Sequence, residues 1–190
     1  VDASRAVDVL LDAVGLVRRG GRDVRVLMIG ASRPDLARSR SIHLQRRALA
    51  AERRLDEKAV VWKGYLSEQD VVAHMLAADC VVLPFRHNTL GRSSLALALG
   101  LGMPTITSGR WRNAFLEDRR NSLLVPPRDP RQMARAITEV LTLPGLRERL
   151  SRGAREAARW YSWDTVVDRM SEVYRAATRG RSGRDQENDG

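Results

Sequence analysis

Cys80-Val81-Val82-Leu83-Pro84, followed by Phe85-Arg86-His87-Asn88-Thr89-Leu90 and then Gly91-Arg92-Ser93-Ser94, is the stretch on which the fold turns. A short apolar run gives way to a polar loop, and a helix-forming segment, Ser93 to Leu101, starts after the glycine. Strand, loop and helix stand in the order a βα unit requires. The same order recurs upstream. Val24-Arg25-Val26-Leu27-Met28-Ile29-Gly30 reads as a buried strand, with an arginine-rich helical stretch over roughly 35–55 after it. Ala59-Val60-Val61-Trp62 then reads as strand and Glu68 to Ala78 as helix. Downstream, Pro104-Thr105-Ile106-Thr107 reads as strand, Asn113 to Asp118 as a short helix and Leu123-Leu124-Val125 as a last strand. Ahead of them all, residues 5–18 place Val7, Leu10, Leu11, Val14 and Leu16 at near-helical spacing up to Gly20-Gly21. Short apolar strands alternating with helices predict an α/β fold: an open parallel sheet with helices on both faces.

After Pro126-Pro127 the pattern is helical only. Asp129 is placed to N-cap a helix to about Leu141, Pro144 opens another to about Arg159, and Ser162 caps a last one to about Ala177. The run 179–190 has no apolar residue and is expected to be disordered. No internal repeat or interior linker is visible, so the reading is one domain, 1–178, with a tail, 179–190.

The chain has 190 residues, enough to bury one sizeable core. No stretch approaches the roughly 18–20 apolar residues of a membrane span. Val1 to Arg5 shows neither a charged n-region nor an apolar h-region, so no signal peptide is expected. A single cysteine, Cys80, excludes an internal disulfide and a thiolate metal cluster, which fits a reducing, cytoplasmic compartment. The net charge is +10, and all of the 33 basic residues except Lys58 and Lys63 are arginines. Two readings stay open: a polyanionic partner, or arginines decorating solvated helix faces among interspersed acids.

Ligands of open parallel sheets bind beyond the carboxyl ends of the strands. Those ends are Gly30-Ala31-Ser32, Gly64-Tyr65-Leu66, Phe85 to Ser94, and Ser108-Gly109-Arg110. At the third, Gly91 lets backbone approach a ligand, the free N–H groups of the first helical turn favour an anion, Arg92 adds a charge, and Ser93 and Ser94 add hydroxyls. This suits a diphosphate cradle, and equally an ordinary serine-capped loop. His87 is placed to meet a sugar hydroxyl or simply water, and His43 and His74 lack metal-ligand spacing. Cys80, at a strand start, reads as a buried, inert thiol. The chain has no G-x-x-x-x-G-K-[ST] motif, which excludes a P-loop NTPase, and no G-x-G-x-x-G, which disfavours a nicotinamide dinucleotide site.

Taken in order, Val7-Asp8-Val9-Leu10-Leu11-Asp12-Ala13, Leu27-Met28-Ile29-Gly30, Val61-Trp62-Lys63-Gly64-Tyr65-Leu66, Ala78-Asp79-Cys80-Val81-Val82-Leu83-Pro84, Gly102-Met103-Pro104-Thr105-Ile106 and Leu123-Leu124-Val125-Pro126-Pro127-Arg128-Asp129 resemble a known series. They are similar to the donor-binding, C-terminal half of the retaining GT-B glycosyltransferases of group 1, as is Ser162-Trp163 at the start of the last helix. The resemblance covers about residues 5–177. It implies a Rossmann-like domain that binds a nucleoside diphosphate sugar, with no metal cofactor and a cytoplasmic setting at or near the inner membrane face. In that family a separate N-terminal domain holds the acceptor. Neither that domain nor the strand preceding the first helix is expected in this chain, which would leave apolar sheet surface exposed and sugar transfer incomplete.

Carried over by position, the resemblance assigns the donor diphosphate to Arg5, Gly91, Arg92, Ser93 and Ser94. It assigns the donor sugar to His87, Asn88, Thr89 and Leu90, and the nucleoside to Gly30, Tyr65, Leu66 and Leu97. The family carries two glutamates with seven residues between them, and those positions fall on Thr89 and Leu97. This departure supports a second reading, a glycosyltransferase-like binding module without catalysis. A third, from another class, is a basic nucleic-acid-binding α/β domain, against which stand the few aromatic residues and the lack of a recognition motif.

Overall fold

The computed structural model describes residues 5–30, 37–87, 93–108 and 115–182, the side chains of 37–43, 161 and 178–182 excepted. Among them, helices α1 (Val7–Arg19), α2 (Ala37–Glu52), α3 (Glu68–Leu76) and α4 (Ser93–Gly100) alternate with strands β1 (Val26–Ile29), β2 (Val60–Gly64), β3 (Val81–Leu83) and β4 (Thr105–Ser108). Strand β5 (Leu123–Val125) follows, then α5 (Pro130–Thr142), α6 (Pro144–Ala158), a 3-10 turn at 159–161 and α7 (Trp163–Ser182).

Every ladder between these strands is parallel, but they form two sheets. In one, Val26 of β1 faces Val60 of β2. In the other, Val81 of β3 faces Thr105 of β4, and Ile106 of β4 faces Leu123 of β5. No ladder joins β1 to β3 among the described residues. The consequence is visible in burial. β4, paired on both sides, is buried at every position, whereas β1, read from sequence as a buried strand, is half-buried throughout. One core still holds both pieces. Val26 and Met28 of β1, Trp62 of β2 and Val82 of β3 pack on a cluster that includes Leu11 and Val14 of α1, Ile106 of β4, and Met133 and Val140 of α5. Period-two alternation sends the neighbouring Leu83 and Leu124 the other way. There they pack with Leu95 and Leu99 of α4 and Ala154 and Ala157 of α6.

Local chemistry sets the helix ends. Asp129 caps α5 by accepting from the Gln132 N–H at 2.9 Å, with Pro130 preset for the first turn. Ser162 caps α7 in the same way, accepting from the Thr165 N–H at 3.2 Å. α1 has Asp8 in its first turn and Arg18 and Arg19 in its last, each opposing the helix dipole. α6 lies so close to the turn before β5 that a Cβ at Gly153 would collide with the Arg120 carbonyl oxygen.

Two further sequence expectations need correction. The short helix over 113–118 is not found in its described part: Phe115 to Asp118 form a turn leading to a single bridge between Asp118 and Ser122. The Asn121 side chain explains this. It accepts from the Glu117 N–H at 2.9 Å and donates to the Phe115 carbonyl at 2.6 Å, taking the groups a helix would pair. The second concerns the tail expected from Arg179. α7 runs on through Ser182, as arginine is a good helix former, and 183–190 lie outside the described residues.

Candidate functional site

The carboxyl edge of β3 is where separate parts of the chain meet. Arg5 lies antiparallel to Phe85 in a single bridge, and the Ala6 N–H donates to the Pro84 carbonyl at 2.9 Å. This pins the start of α1 to the end of β3. The Arg5 guanidinium stands over the Phe85 ring, 5.5 Å from its centroid. In the first turn of α1, Asp8 takes a hydrogen bond of 2.6 Å from Arg86. Burial pushes the Asp8 carboxyl up, but the hydrogen bond and charge of Arg86 outweigh it and hold the group below its ordinary value.

Ser108, at the end of β4, locks the same strand end. Its hydroxyl accepts from the Phe85 N–H at 2.8 Å and donates to the Phe85 carbonyl at 2.9 Å, fully out of water. The Phe85 backbone is thereby satisfied at both groups where the strand stops, and the chain is aimed outward through Arg86 to His87, which is exposed. Asn88, Thr89, Leu90, Gly91 and Arg92, assigned to sugar and diphosphate, lie outside the described residues, as do 31–36 and 109–114.

α4 opens with Ser93 exposed and Ser94 half-buried. The Ser94 hydroxyl oxygen and that of Thr107 in β4 are buried with no hydrogen-bond partner among the described residues. Leaving a buried hydroxyl unpaired is costly, so native structures usually pair such groups or hydrate them. Leu97 is half-buried, one turn further along α4.

The nucleoside residues sit at the ends of the other sheet. Gly30 (φ +83°) donates to the Gly64 carbonyl (φ +72°) at 3.0 Å, and both adopt a left-handed backbone that side chains disfavour. Tyr65 follows, 64% exposed, with Leu66 partly exposed. The structure thus brings Arg5, His87, Ser93 and Ser94 to the end of the β3 sheet, and Gly30, Tyr65 and Leu66 to the carboxyl edge of its companion.

Sequence reading missed Arg86, Asp8, Ser108 and Thr107. Arg86 and Ser108 carried a signal, their places at strand ends, but no role. Of the other candidates, the side chain of His43 lies outside the described residues, and Cys80 is partly rather than fully buried. His74 is a surface residue bonded to the Asp70 carbonyl at 2.7 Å. Burial, with the Asp79 carboxylate beside it, pushes the Cys80 thiol up to about 12, which leaves it protonated and unreactive at neutral pH. Among the described residues no group of three or more His, Cys, Asp or Glu is placed to hold a metal ion, and no helix is long and apolar enough to cross a membrane.

Parallel strands flanked by helices, with polar side chains gathered at the strands' carboxyl ends, define a Rossmann-like α/β domain. The chain belongs to the family of glycosyl transferases group 1, which it matches over residues 2–143. It is 34% identical over 179 residues to a D-inositol 3-phosphate glycosyltransferase of Saccharomonospora viridis, covering 91% of this chain and 40% of the relative. Its fold matches one half of GT-B glycosyltransferases. A sucrose-phosphate synthase of Thermosynechococcus elongatus superposes with a TM-score of 0.79 at 22% identity, over 94% of this chain and 44% of that one. HepE of Anabaena, solved with UDP and glucose, superposes at 0.78 with 17% identity, over 93% of this chain and 46% of that one. The chain thus spans less than half of each of these proteins.

Proposed function

We propose that this chain binds the nucleoside diphosphate sugar of a glycosyl transfer, and that the acceptor is held by a second domain outside it. The observation that carries the reading is the first turn of α4. A buried, unpartnered Ser94 hydroxyl stands there on the helix that follows β3, and Arg5 is pinned to the end of that strand. Free N–H groups at a helix start and an adjacent guanidinium are what a diphosphate requires. Arg5, Arg92, Ser93 and Ser94 then hold the diphosphate, the loop from His87 to Leu90 meets the sugar, and Tyr65 and Leu66 meet the base.

In the transfer, negative charge accumulates on the departing diphosphate as the glycosidic bond breaks. Cations and helix N–H groups fixed in place before the reaction stabilise that charge without reorganising, which is the largest contribution a protein of this kind makes. We assign the transfer to the retaining class and to metal-independent chemistry, in line with the family resemblance. A peripheral encounter with an anionic membrane surface accords with the net charge of +10.

Calorimetric titration with UDP, GDP and an oligonucleotide at two salt concentrations tests the reading. Diphosphate affinity on the order of 10–1000 μM is expected, in the range of ordinary substrate affinities. Oligonucleotide binding that exceeds it and collapses with salt would overturn it in favour of a nucleic-acid domain.

A further inference from the structure

The opposite, amino edge of the β3 sheet carries a second concavity, of about 650 Å3. Its walls are the turn after α3 (Leu76, Ala78, Asp79), the turn after α4 (Leu101 to Pro104) and one face of α6 (from Arg147 to Arg155). It lies before the first residues of β3 and β4, Val81 and Thr105, and so faces away from the site at their carboxyl ends. A volume of this size is typical of small-molecule pockets.

The charge on the α6 wall is uneven. Arg147 is neutralised by Asp79 at 2.9 Å, which ties α6 to the turn before β3. Arg152 and Arg155 are three residues apart, which on a helix places their Cβ atoms about 5–6 Å from each other. Neither has an ion-pair partner among the described residues, and Glu148 is the one remaining acid on the lining. Glu156, the acid four residues after Arg152, is engaged by Arg120 at 3.5 Å. Two like charges side by side repel each other unless an anion lies between them.

Gly102 shapes the floor. Its backbone is left-handed (φ +67°), and a Cβ there would come 2.6 Å from Nε of Arg155. The glycine therefore leaves room for the arginine to lie against the turn. The end of α4 does not occupy that guanidinium in place of a ligand. Among the described residues Arg155 makes no hydrogen bond to it, and Gly102 N–H donates to the Leu99 carbonyl and Met103 N–H to that of Ala98, each at 2.9 Å. Ser151, on the same face of α6, adds a hydroxyl.

We propose that this concavity is a second ligand site, for a small phosphomonoester, with Arg152 and Arg155 holding the phosphate and Ser151 assisting. It is separate from the carboxyl-edge site and does not rest on the function proposed for that site. A planar guanidinium pair suits the tetrahedral oxygens of a phosphate, and the volume admits a sugar-sized body attached to it.

The test is titration of the isotope-labelled chain with glucose 1-phosphate, following backbone amides by NMR, with glucose as the uncharged control. Saturable shifts at Gly102, Met103 and Ser151 are expected with the phosphate ester and not with glucose. R152A/R155A should weaken binding at least tenfold. Both side chains are exposed, so the fold should persist, as an unchanged spectrum elsewhere would verify. R131A/R135A, which removes two exposed arginines of α5 outside the cavity, should leave the affinity unchanged. Absent shifts, equal shifts with glucose, or equal loss in the R131A/R135A protein would each overturn the assignment, the last by showing diffuse attraction to a basic surface.

Discussion

Ser108→Ala removes one oxygen and unpairs two buried backbone groups at once, since the hydroxyl both accepts from the Phe85 N–H and donates to its carbonyl. A typical net hydrogen bond contributes about 1 kcal/mol, and a buried group left unsatisfied costs roughly 1–3 kcal/mol. Ser108 is 1% exposed and Phe85 0%, so water does not reach the vacated position without opening the strand end. The two groups share one site and their costs do not simply add, which puts the expected loss at about 2–4 kcal/mol. At roughly 2–4 °C per kcal/mol for a chain of this size, the melting temperature should fall by about 4–16 °C. Differential scanning calorimetry measures this directly, and titration with UDP on the same sample should show weaker binding, because Arg86 and the loop beyond it start from Phe85. A melting temperature within about a degree of the parent would refute the reasoning, since it would mean the Phe85 backbone finds other partners at no cost.

Arg92→Ala should weaken nucleoside diphosphate binding by roughly 1.5–3 kcal/mol, the range for hydrogen bonds to charged groups, while affinity for the bare nucleoside stays the same in parallel titrations. Asp8→Asn should flatten the acid side of the stability profile. The depressed carboxyl contributes stability above its ordinary value of 3.8 and loses it as pH falls through the lower folded value, so parent and variant should converge below about pH 4 in melts run across that range. Gly153→Val should cost at least about 1–3 kcal/mol, because its side chain meets the Arg120 backbone and not a yielding side chain, and a chemical denaturation midpoint equal to the parent's would count against the close approach.

What could be read from the chain alone was what local sequence determines. The strands showed because β-branched apolar runs are short and bounded by glycine, proline or polar residues. The caps at Asp129 and Ser162 showed because the bond is made within three residues. The helix over 113–118 was misread for the converse reason: Asn121 looks like an ordinary loop residue, yet its amide bonds back to 115 and 117. The candidate site was legible only as strand ends and a helix start. Its framework is tertiary. Arg86 and Asp8 are 78 positions apart, and Phe85 and Ser108 are 23 apart, so nothing in either segment alone announces the pairing. The half-buried state of β1 was likewise invisible, because an apolar run reads the same whether one edge or two are paired.

The pairing of Asp8 with Arg86 decides which cations serve the proposed chemistry. A guanidinium bonded at 2.6 Å to a carboxylate carries no net charge to a ligand nearby, and separating the pair in a half-buried setting leaves an uncompensated acid at the first turn of α1. Arg86 is on this account a positioning residue: it ties α1 to the strand end and leaves the phosphates to other groups. Arg5 is held differently. Its guanidinium stands over the face of Phe85, 5.5 Å from the ring centroid, a contact that orients the charge at the strand end. In the proposed site the anion-stabilising charge is therefore assigned to Arg5, Arg92 and the start of α4, and Arg86 is assigned to positioning. Arg86→Ala should therefore lower stability more than it lowers diphosphate affinity, and Arg5→Ala the reverse. Calorimetric melts and UDP titrations on the same two variants separate the roles, and a loss of affinity in the Arg86 variant equal to that in the Arg5 variant, with the fold intact, would show that this division of charge is wrong.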